Sequence, residues 1–486
     1  TGLTSERRMK MPANPMATPP ARRARKALTR CCVADVTPTD AAGVASPVVC
    51  RLWIRLGPFT TRLLMRRQVA RRVAAFAAPI ALAVFALYSA PQAQSGGAPR
   101  YFFDPAFPKP LPNKWKIGGV MGLSIGKDDD VWAYNRPNDL TNIELEAELT
   151  PPVADCCVTP PSMIHFDKNG NVIGSFNAPQ GHGMDVDSKG FAYLGQNTVR
   201  KYDKTGKLLG EVPHVPENPD GSPFKMPETP KRIPGLGSLG PVAGFITRID
   251  ADLKAGVPNA SEQAGTMALL KNAKFVAKYP PTTPMIVGGV EEIRLDEAAN
   301  EMYVADNYLG GRVMVFDLNT LQFKRGWGAY GHKLSEISID QKDRDYKPGG
   351  PMPKEFRGHL TLNISNDGKL YAADRNANRI QVFQKDGTYL NQEIILNPKT
   401  DVGGSTGGVM FSPDKAQKYL YISDLTNNHV YFLNRADGKL LGQMGTMGEN
   451  GGQFFGLHMI AVDSKGILYT GEVFQGERVQ RFLPVK

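Results

Sequence analysis

The chain has 486 residues, 41% of them apolar, with 50 glycines and 38 prolines. This composition is enough for a substantial core and favours many short strands and turns over long helices. The net charge is +11, but residues 1–93 hold 15 of the 58 Lys and Arg residues and 3 of the 47 Asp and Glu residues. The remainder, with 43 basic and 44 acidic residues, is nearly neutral, so charge gives no reason to expect nucleic-acid binding by the folded part.

The N-terminal region has the features of a targeting segment. A basic stretch at residues 65–72 precedes an apolar stretch at residues 73–90, and a plausible processing region lies near Ala93. Residues 65–93 are therefore expected to be a signal peptide, or an N-terminal anchor if uncleaved. The protein is accordingly expected to be exported, to a periplasm or to the extracellular space. Residues 1–64, which show no periodicity, are expected to be disordered or an upstream extension.

Cysteine usage agrees with export, because only the vicinal pair Cys156-Cys157 lies beyond the leader. A vicinal disulfide and two free thiols are both open for this pair. Two cysteines cannot make a four-cysteine zinc site, and no CxxC pair completes one.

Six copies of one template follow the leader. Each copy has an apolar strand, an Asp/Asn-Gly turn, an "x-Y-h-x-D" strand, an Asn/Arg-rich loop and an "R-h-x-V-F" strand, as in "HLTLNISNDGKLYAADRNANRIQVFQKDGTYL" at residues 359–390. No copy can bury both faces of its strands alone, so neighbouring copies must stack. Radial stacking predicts an all-β, six-bladed β-propeller, whereas a linear β-solenoid is the structural alternative.

The propeller is expected to span residues 101–486. Its last copy stops after three strands, and the stretch around residues 113–120 is expected to supply the fourth and close the ring. Residues 213–284, rich in proline, interrupt the repeats between copies two and three. Such a long insertion suggests a lid over a functional site, with a surface decoration as the alternative.

Three histidines share one position in alternate copies. His182, His359 and His458 begin the first strands of copies two, four and six. Since the first strand of each blade lines the central channel, these imidazoles are expected to converge on the axis and hold a catalytic metal ion. The remaining histidines are off this register and are interpreted as ordinary: His165, His214, His332 and His429.

Three further polar residues are expected at the same rim, just past second strands. They are Arg136, Tyr308 and Arg375. Two guanidinium groups beside a metal ion would bind a carboxylate, and a tyrosine there could act as a base. Arg312 and Arg379, within the "R-h-x-V-F" strands, are expected to be structural.

At these residues the chain resembles an NHL-repeat propeller and, more specifically, the peptidyl-α-hydroxyglycine α-amidating lyase family. The resemblance covers most of residues 115–486 outside the insertion. It rests on "GHGMDVD" for His182, "GHLTL" for His359, "GLHMIAVD" for His458, "YNRP" for Arg136, "ADNY" for Tyr308 and "ADRNANRI" for Arg375. It implies that the three histidines bind Zn²⁺, with iron possible, and that the enzyme cleaves an α-hydroxyglycine-like amide into an amide and glyoxylate.

The resemblance also implies roles for the other residues. Tyr308 would take the proton of the substrate hydroxyl, and Arg136 and Arg375 would anchor the carboxylate. Met459 follows the last histidine where the family has an aspartate that helps to hold a structural calcium ion, so a calcium site is not expected. Gly456 stands where the family has a methionine of the substrate pocket.

Two other functions remain open. One is a metal-dependent lactonase or hydrolase on a propeller, whose metal ligands usually come from Glu, Asn and Asp. The other is a non-catalytic NHL-repeat scaffold for protein binding, which would carry no metal. Whether the protein is a lyase or a hydrolase, its partner is expected to be a small carboxylate-bearing or peptide-like substrate. The protein is expected to be a monomer that meets membranes only through an uncleaved leader.

Overall fold

A computed structural model describes residues 97–215, 277–307, 310–401, 403–474 and 476–485. Within these ranges the chain forms six four-stranded antiparallel sheets, which confirms the all-β, six-bladed propeller. In five sheets the four strands follow one another in chain order, as expected for one repeat per blade.

The strands are short and regularly spaced. Blades one to three contain β2 (Gly119–Ile125), β3 (Val131–Arg136), β4 (Met163–Phe166), β5 (Val172–Phe176); β6 (Met184–Val186), β7 (Ala192–Gly195), β8 (Val199–Tyr202), β9 (Leu208–Glu211); β10 (Val290–Asp296), β11 (Glu301–Asp306), β12 (Arg312–Asp317) and β13 (Phe323–Trp327). Blades four to six contain β14 (Leu360–Ile364), β15 (Lys369–Asp374), β16 (Arg379–Gln384), β17 (Tyr389–Ile395); β18 (Val409–Phe411), β19 (Tyr419–Asp424), β20 (His429–Asn434), β21 (Leu440–Met444); β22 (Leu457–Val462), β23 (Leu468–Glu472), β24 (Val479–Pro484) and β1 (Tyr101–Phe103). Short 3-10 helices occupy Pro112–Lys114, Pro137–Asp139, Asn142–Glu148, Glu297–Ala299, Ala329–Gly331, Gln341–Asp343 and Arg375–Ala377.

The sixth blade is completed by a strand from the other end of the described chain. Strand β1 pairs antiparallel with β24, with Phe102 opposite Leu483. The expectation that residues 113–120 supply this strand is therefore wrong. That stretch instead contains a 3-10 turn and the start of β2, the innermost strand of blade one. A three-residue strand is too short to show an alternating pattern, which is why the sequence concealed it.

The core is divided into six layers, each between two adjacent blades. Between blades one and six, for example, Val120 and Ile164 pack in one cluster with Met459 and Tyr469. Similar clusters join every other neighbouring pair of blades. Each buried large apolar side chain contributes about 1.5–3 kcal/mol, so the stacked faces supply the stability that no single blade has.

Buried Asp–Arg pairs connect strands to the loops that enter the blades. Arg312 contacts Asp306 at 2.8 Å and donates to the carbonyl oxygen of Met285. Arg379 contacts Asp374 at 3.0 Å in the next blade. Both arginine side chains are fully buried, which supports their structural interpretation.

Several predictions concern the periphery. Residues 1–96 lie outside the described residues, and with them the predicted signal peptide at residues 65–93 and the predicted extension at residues 1–64. Most of the 213–284 insertion lies outside them as well. The ends of the insertion meet in a parallel bridge between His214 and Ile286.

Cys156 and Cys157 form a vicinal disulfide, which answers the question left open by the sequence. Across the described ranges, no helix has the length and apolar character needed to cross a membrane.

Candidate metal centre and active-site cavity

Three buried side chains meet at the axis of the ring: His182, Glu291 and His458. His182 lies two residues before the start of β6, and its backbone N–H donates to the carbonyl oxygen of Gly195 in β7. Glu291 and His458 lie at β-bulges in the innermost strands β10 and β22. A bulge inserts an extra residue into the strand and re-aims a side chain, which here brings both groups inwards.

The distances within this cluster are those of ligands around one ion. His182 Nε2 lies 3.2 Å from His458 Nε2 and 3.1 Å from Glu291 Oε1. One ligand atom from each of the three residues can be chosen so that all lie within 4.8 Å of one another. Imidazole nitrogens and a carboxylate oxygen are ligands that both catalytic zinc and non-haem iron accept.

The third predicted ligand, His359, lies beside this cluster. Its Nδ1 is 2.8 Å from Glu291 Oε1, and its backbone has a left-handed φ of 54°. Its side chain is 20% exposed, compared with 4% for His182, so it lies nearer the solvent. The structure therefore gathers all three predicted histidines in one place, with Glu291 between His182 and His359.

Hydrogen bonds orient the cluster. His182 Nδ1 lies 2.6 Å from the backbone carbonyl oxygen of Glu291, and because a carbonyl only accepts, Nδ1 carries a proton. In the neutral imidazole, Nε2 then carries the lone pair that a metal ion binds. Asn307 Nδ2 donates to Glu291 Oε2 at 2.8 Å, which turns Oε1 towards the histidines. Such outer contacts fix the tautomer and orientation of metal ligands.

The electrostatics also favour a cation. Burial, together with charges on His182 and Arg375, lowers the pKa of His458 well below its usual value. Burial and Arg375 likewise lower the pKa of His359, against the opposing effect of Glu291. Burial opposes ionisation of Glu291, but His182 and His359 hold its pKa well below the ordinary value. The lowered pKa values of His359 and His458 and the ionised carboxylate of Glu291 favour the protonation states that bind metal.

Two predicted rim residues contact the cluster or its loop. Arg375 Nη1 lies 3.2 Å from His458 Nε2. Arg136 Nε donates at 3.1 Å to the carbonyl oxygen of Gly181, the residue before His182. The third, Tyr308, lies outside the described residues.

One cavity of about 780 Å³ joins these groups. Its lining includes five of the six predicted site residues, Arg136, His182, His359, Arg375 and His458. A third guanidinium, Arg357, and two acidic side chains, Asp139 and Glu477, lie in the same wall. The cavity is large enough for a small ligand and carries several cationic groups that suit a carboxylate.

Sequence reasoning missed Glu291. The signal was the pair of consecutive glutamates in "VEEIRL", in an otherwise apolar inner strand. The neighbouring Glu292 faces a different partner, with Oε1 3.2 Å from Arg294 Nη1. Met459, where the family has an aspartate, packs in the core between blades one and six.

The residues present fit a bound metal ion. His182 Nε2 and Glu291 Oε1 lie 3.1 Å apart, and His182 Nε2 and His458 Nε2 lie 3.2 Å apart, so a positive charge, either a proton on His182 or a metal ion, is needed among these atoms. Fold and site together define a class: a six-bladed β-propeller with a candidate metal centre on its axis.

Within that class the chain is similar to two curated proteins of Xenopus laevis. Peptidyl-glycine alpha-amidating monooxygenase B is 28% identical over 200 residues, covering 40% of this chain and 20% of the relative. Monooxygenase A is 26% identical over 200 residues, covering 40% of this chain and 19% of the relative. The chain thus matches about a fifth of the length of these relatives. No family model matches the chain.

Comparison with solved structures gives distant likenesses, two of which are described here. A streptogramin B lyase structure has a TM-score of 0.41 at 12% identity and covers 79% of this chain and 98% of its own. A protein of unknown function from Bacteroides thetaiotaomicron has a TM-score of 0.40 at 13% identity and covers 76% and 70%. Both TM-scores are below 0.5, so neither likeness supports a conclusion about this chain.

Proposed function

We propose that the protein is a metal-dependent carbon–nitrogen lyase that cleaves an α-hydroxyglycine-like amide into an amide and glyoxylate. The observation that carries this proposal is the contact between Arg375 and His458, at 3.2 Å in one cavity. It puts a carboxylate-binding group directly beside the candidate metal ligands. The similarity to amidating proteins supports the same reaction class.

The reaction needs one bond broken and one proton moved. The hydroxyl of R–CO–NH–CH(OH)–COO⁻ loses its proton, its carbon–oxygen bond becomes a double bond, and the carbon–nitrogen bond breaks. The departing nitrogen takes up a proton, so no oxidant or water is consumed. A bound metal ion supplies positive charge that stabilises the negative charge developing on the hydroxyl oxygen.

The chain's own residues bind and orient the substrate. Arg136 and Arg375 bind the carboxylate of the glycine unit, which fixes the hydroxyl-bearing carbon near the axis. Hydrogen bonds from His182 Nδ1 and Asn307 keep the cluster rigid, so that no reorganisation is needed during the reaction. Tyr308 remains the predicted base.

The test measures metal and product on the purified chain. We expect about one zinc or iron per chain by elemental analysis, and glyoxylate and benzamide in equal amounts from α-hydroxyhippurate. His182→Ala and His458→Ala should lose both metal and turnover. His429→Ala is the matched control, because His429 bonds the backbone of Gly445 away from the cavity lining. A metal-loaded chain that releases no glyoxylate would refute the lyase proposal.

A lactonase or other hydrolase is the second candidate. Glu291 and Asn307 at the axis favour it more than the histidines alone did, because such sites use carboxylate and amide ligands. Hydrolysis of aldonolactones without glyoxylate release would select it. A non-catalytic scaffold would instead purify without bound metal.

The cellular setting follows the same proposal. We propose a small carboxylate-bearing or peptide-like substrate, a monomeric enzyme, no nucleic-acid partner and an exported location. Fractionation of cells that express the full chain, with N-terminal sequencing of the product, tests the location and cleavage near Ala93.

A further inference from the structure

We infer that Glu291 is a direct, negatively charged ligand of the metal ion, so that the centre is a mixed imidazole–carboxylate site. The sequence predicts a site of three neutral histidines instead. The inference rests on the proposed function only in requiring that the axis binds a metal.

The position of Glu291 in the fold is the first support. It occupies in blade three the inner-strand position that His458 occupies in blade six. Both are the extra residue of a β-bulge, between Val290 and Glu292 and between Leu457 and Met459. The same backbone device therefore directs one carboxylate and one imidazole to the axis.

The distances are the second support. Ligands about 2.1 Å from one ion lie about 3.0 Å apart at right angles and about 3.4 Å apart in a tetrahedron. His182 Nε2 is 3.1 Å from Glu291 Oε1 and 3.2 Å from His458 Nε2, within that range. Two of the three pairs of ligand atoms therefore have the spacing of a shared ion, and all three ligand atoms lie within 4.8 Å of one another.

The pattern of donors and acceptors is the third support. In the neutral imidazole, His182 Nε2 carries a lone pair, because its Nδ1 donates to a carbonyl. His458 Nε2 also carries one, because the guanidinium of Arg375 can only donate to it. Glu291 Oε1 is an acceptor, held in place by Asn307 on Oε2. Three acceptors that converge in a buried site are satisfied by a cation between them.

A carboxylate ligand changes the chemistry of the centre. The negative charge of the carboxylate lowers the net charge of a divalent site from +2 to +1. This attraction strengthens retention of the metal ion. It also makes the metal ion a weaker Lewis acid towards bound oxygen groups. The carboxylate ligand also leaves His359 as a neighbour tied to Glu291 Oε1 at 2.8 Å.

The test compares two adjacent glutamates. Glu291→Gln keeps the shape of the side chain but removes its charge, and Glu292→Gln is the matched control because Glu292 is also buried yet pairs with Arg294. We expect Glu291→Gln to weaken Co²⁺ binding more than 100-fold and to alter the visible absorption of bound Co²⁺. Glu292→Gln should leave both unchanged.

A purely orienting role for Glu291 gives a different result. Asn307→Ala removes only an outer contact and should cost about tenfold in Co²⁺ affinity. If Glu291→Gln costs no more than Asn307→Ala and keeps the wild-type absorption, Glu291 is not a ligand. A wild-type chain that binds no Co²⁺ or Zn²⁺ would instead overturn the metal-dependent function itself.

Discussion

Arg375 and His458 come from blades four and six, yet Nη1 of the arginine lies 3.2 Å from Nε2 of the histidine. The contact couples the proposed carboxylate anchor to the candidate metal centre. It also places a permanent positive charge beside a group that would hold a cation.

Arg375→Ala should therefore separate substrate binding from metal binding. Loss of a charge-assisted hydrogen bond, about 1.5–3 kcal/mol, should raise KM for a carboxylate substrate about 10–100-fold. Metal affinity should stay the same or increase, because a neighbouring positive charge is removed. Steady-state kinetics and metal titration measure the two effects. Arg200→Ala, on an outer strand, is the control, and a fall in metal affinity in Arg375→Ala would contradict the assignment.

The close backbone approach at Gly183 should make the site sensitive to one methyl group. A Cβ at Gly183 would lie 2.6 Å from the carbonyl oxygen of Glu291, which holds His182 Nδ1. We expect Gly183→Ala to weaken metal binding at least tenfold, measured by competition with a chelator.

Gly190 provides the matched control for that variant. It has φ +80°, close to the +74° of Gly183, but a Cβ there would meet nothing within 4 Å. Gly190→Ala carries the same backbone strain and should keep its metal. An equal loss of metal affinity in Gly183→Ala and Gly190→Ala would show that backbone strain alone, and not the contact with Glu291, weakens metal binding.

The buried Asp374–Arg379 pair should be worth far more to stability than a surface pair. Arg379→Ala leaves Asp374 buried without its partner and should lower the free energy of unfolding by about 3–5 kcal/mol. Lys333→Ala, whose side chain is 81% exposed and whose partner Glu336 is 52% exposed, should cost about 1 kcal/mol or less. Urea denaturation measures both, and similar losses would show that Arg379 is not a structural anchor.

Glu477, in the cavity wall, should make stability fall as pH rises. Burial raises the pKa of Glu477 to about 8, with Lys116 opposing and Glu144 adding to the rise. The folded state thus keeps a proton that the unfolded state loses above about pH 4.3. The stability from this proton is complete below that pH and is lost as pH rises through about 8.

The matching variant is Glu477→Gln, which cannot lose a proton. Relative to wild type, its free energy of unfolding should increase by about 4 kcal/mol between pH 5 and pH 9, measured by thermal unfolding at both values. Glu336→Gln, at an exposed side chain, should show no such dependence. A pH-independent difference between Glu477→Gln and wild type would disprove the proton linkage.

The repeats made most of the fold predictable, because each copy pairs an alternating pattern with an Asp/Asn-Gly turn. The register of the histidines also predicted their meeting at the axis. Glu291 was not predictable in this way. Two glutamates are adjacent in the inner strand of copy three, and only the bulge at Val290–Glu292 decides which one faces the axis. A bulge is a matter of pairing between β10 and β11, and it leaves no periodic signal in one strand.

The sixth blade is completed by the pairing of β1 with β24, so its formation requires two segments almost 400 residues apart in the chain to meet. The same blade carries His458 on its innermost strand, three strands from β1. Pairing of β1 with β24 therefore completes the sheet that presents one of the candidate metal ligands. A nick that frees β1 would loosen the grip on the ion from a point on the outer edge, far from any ligand.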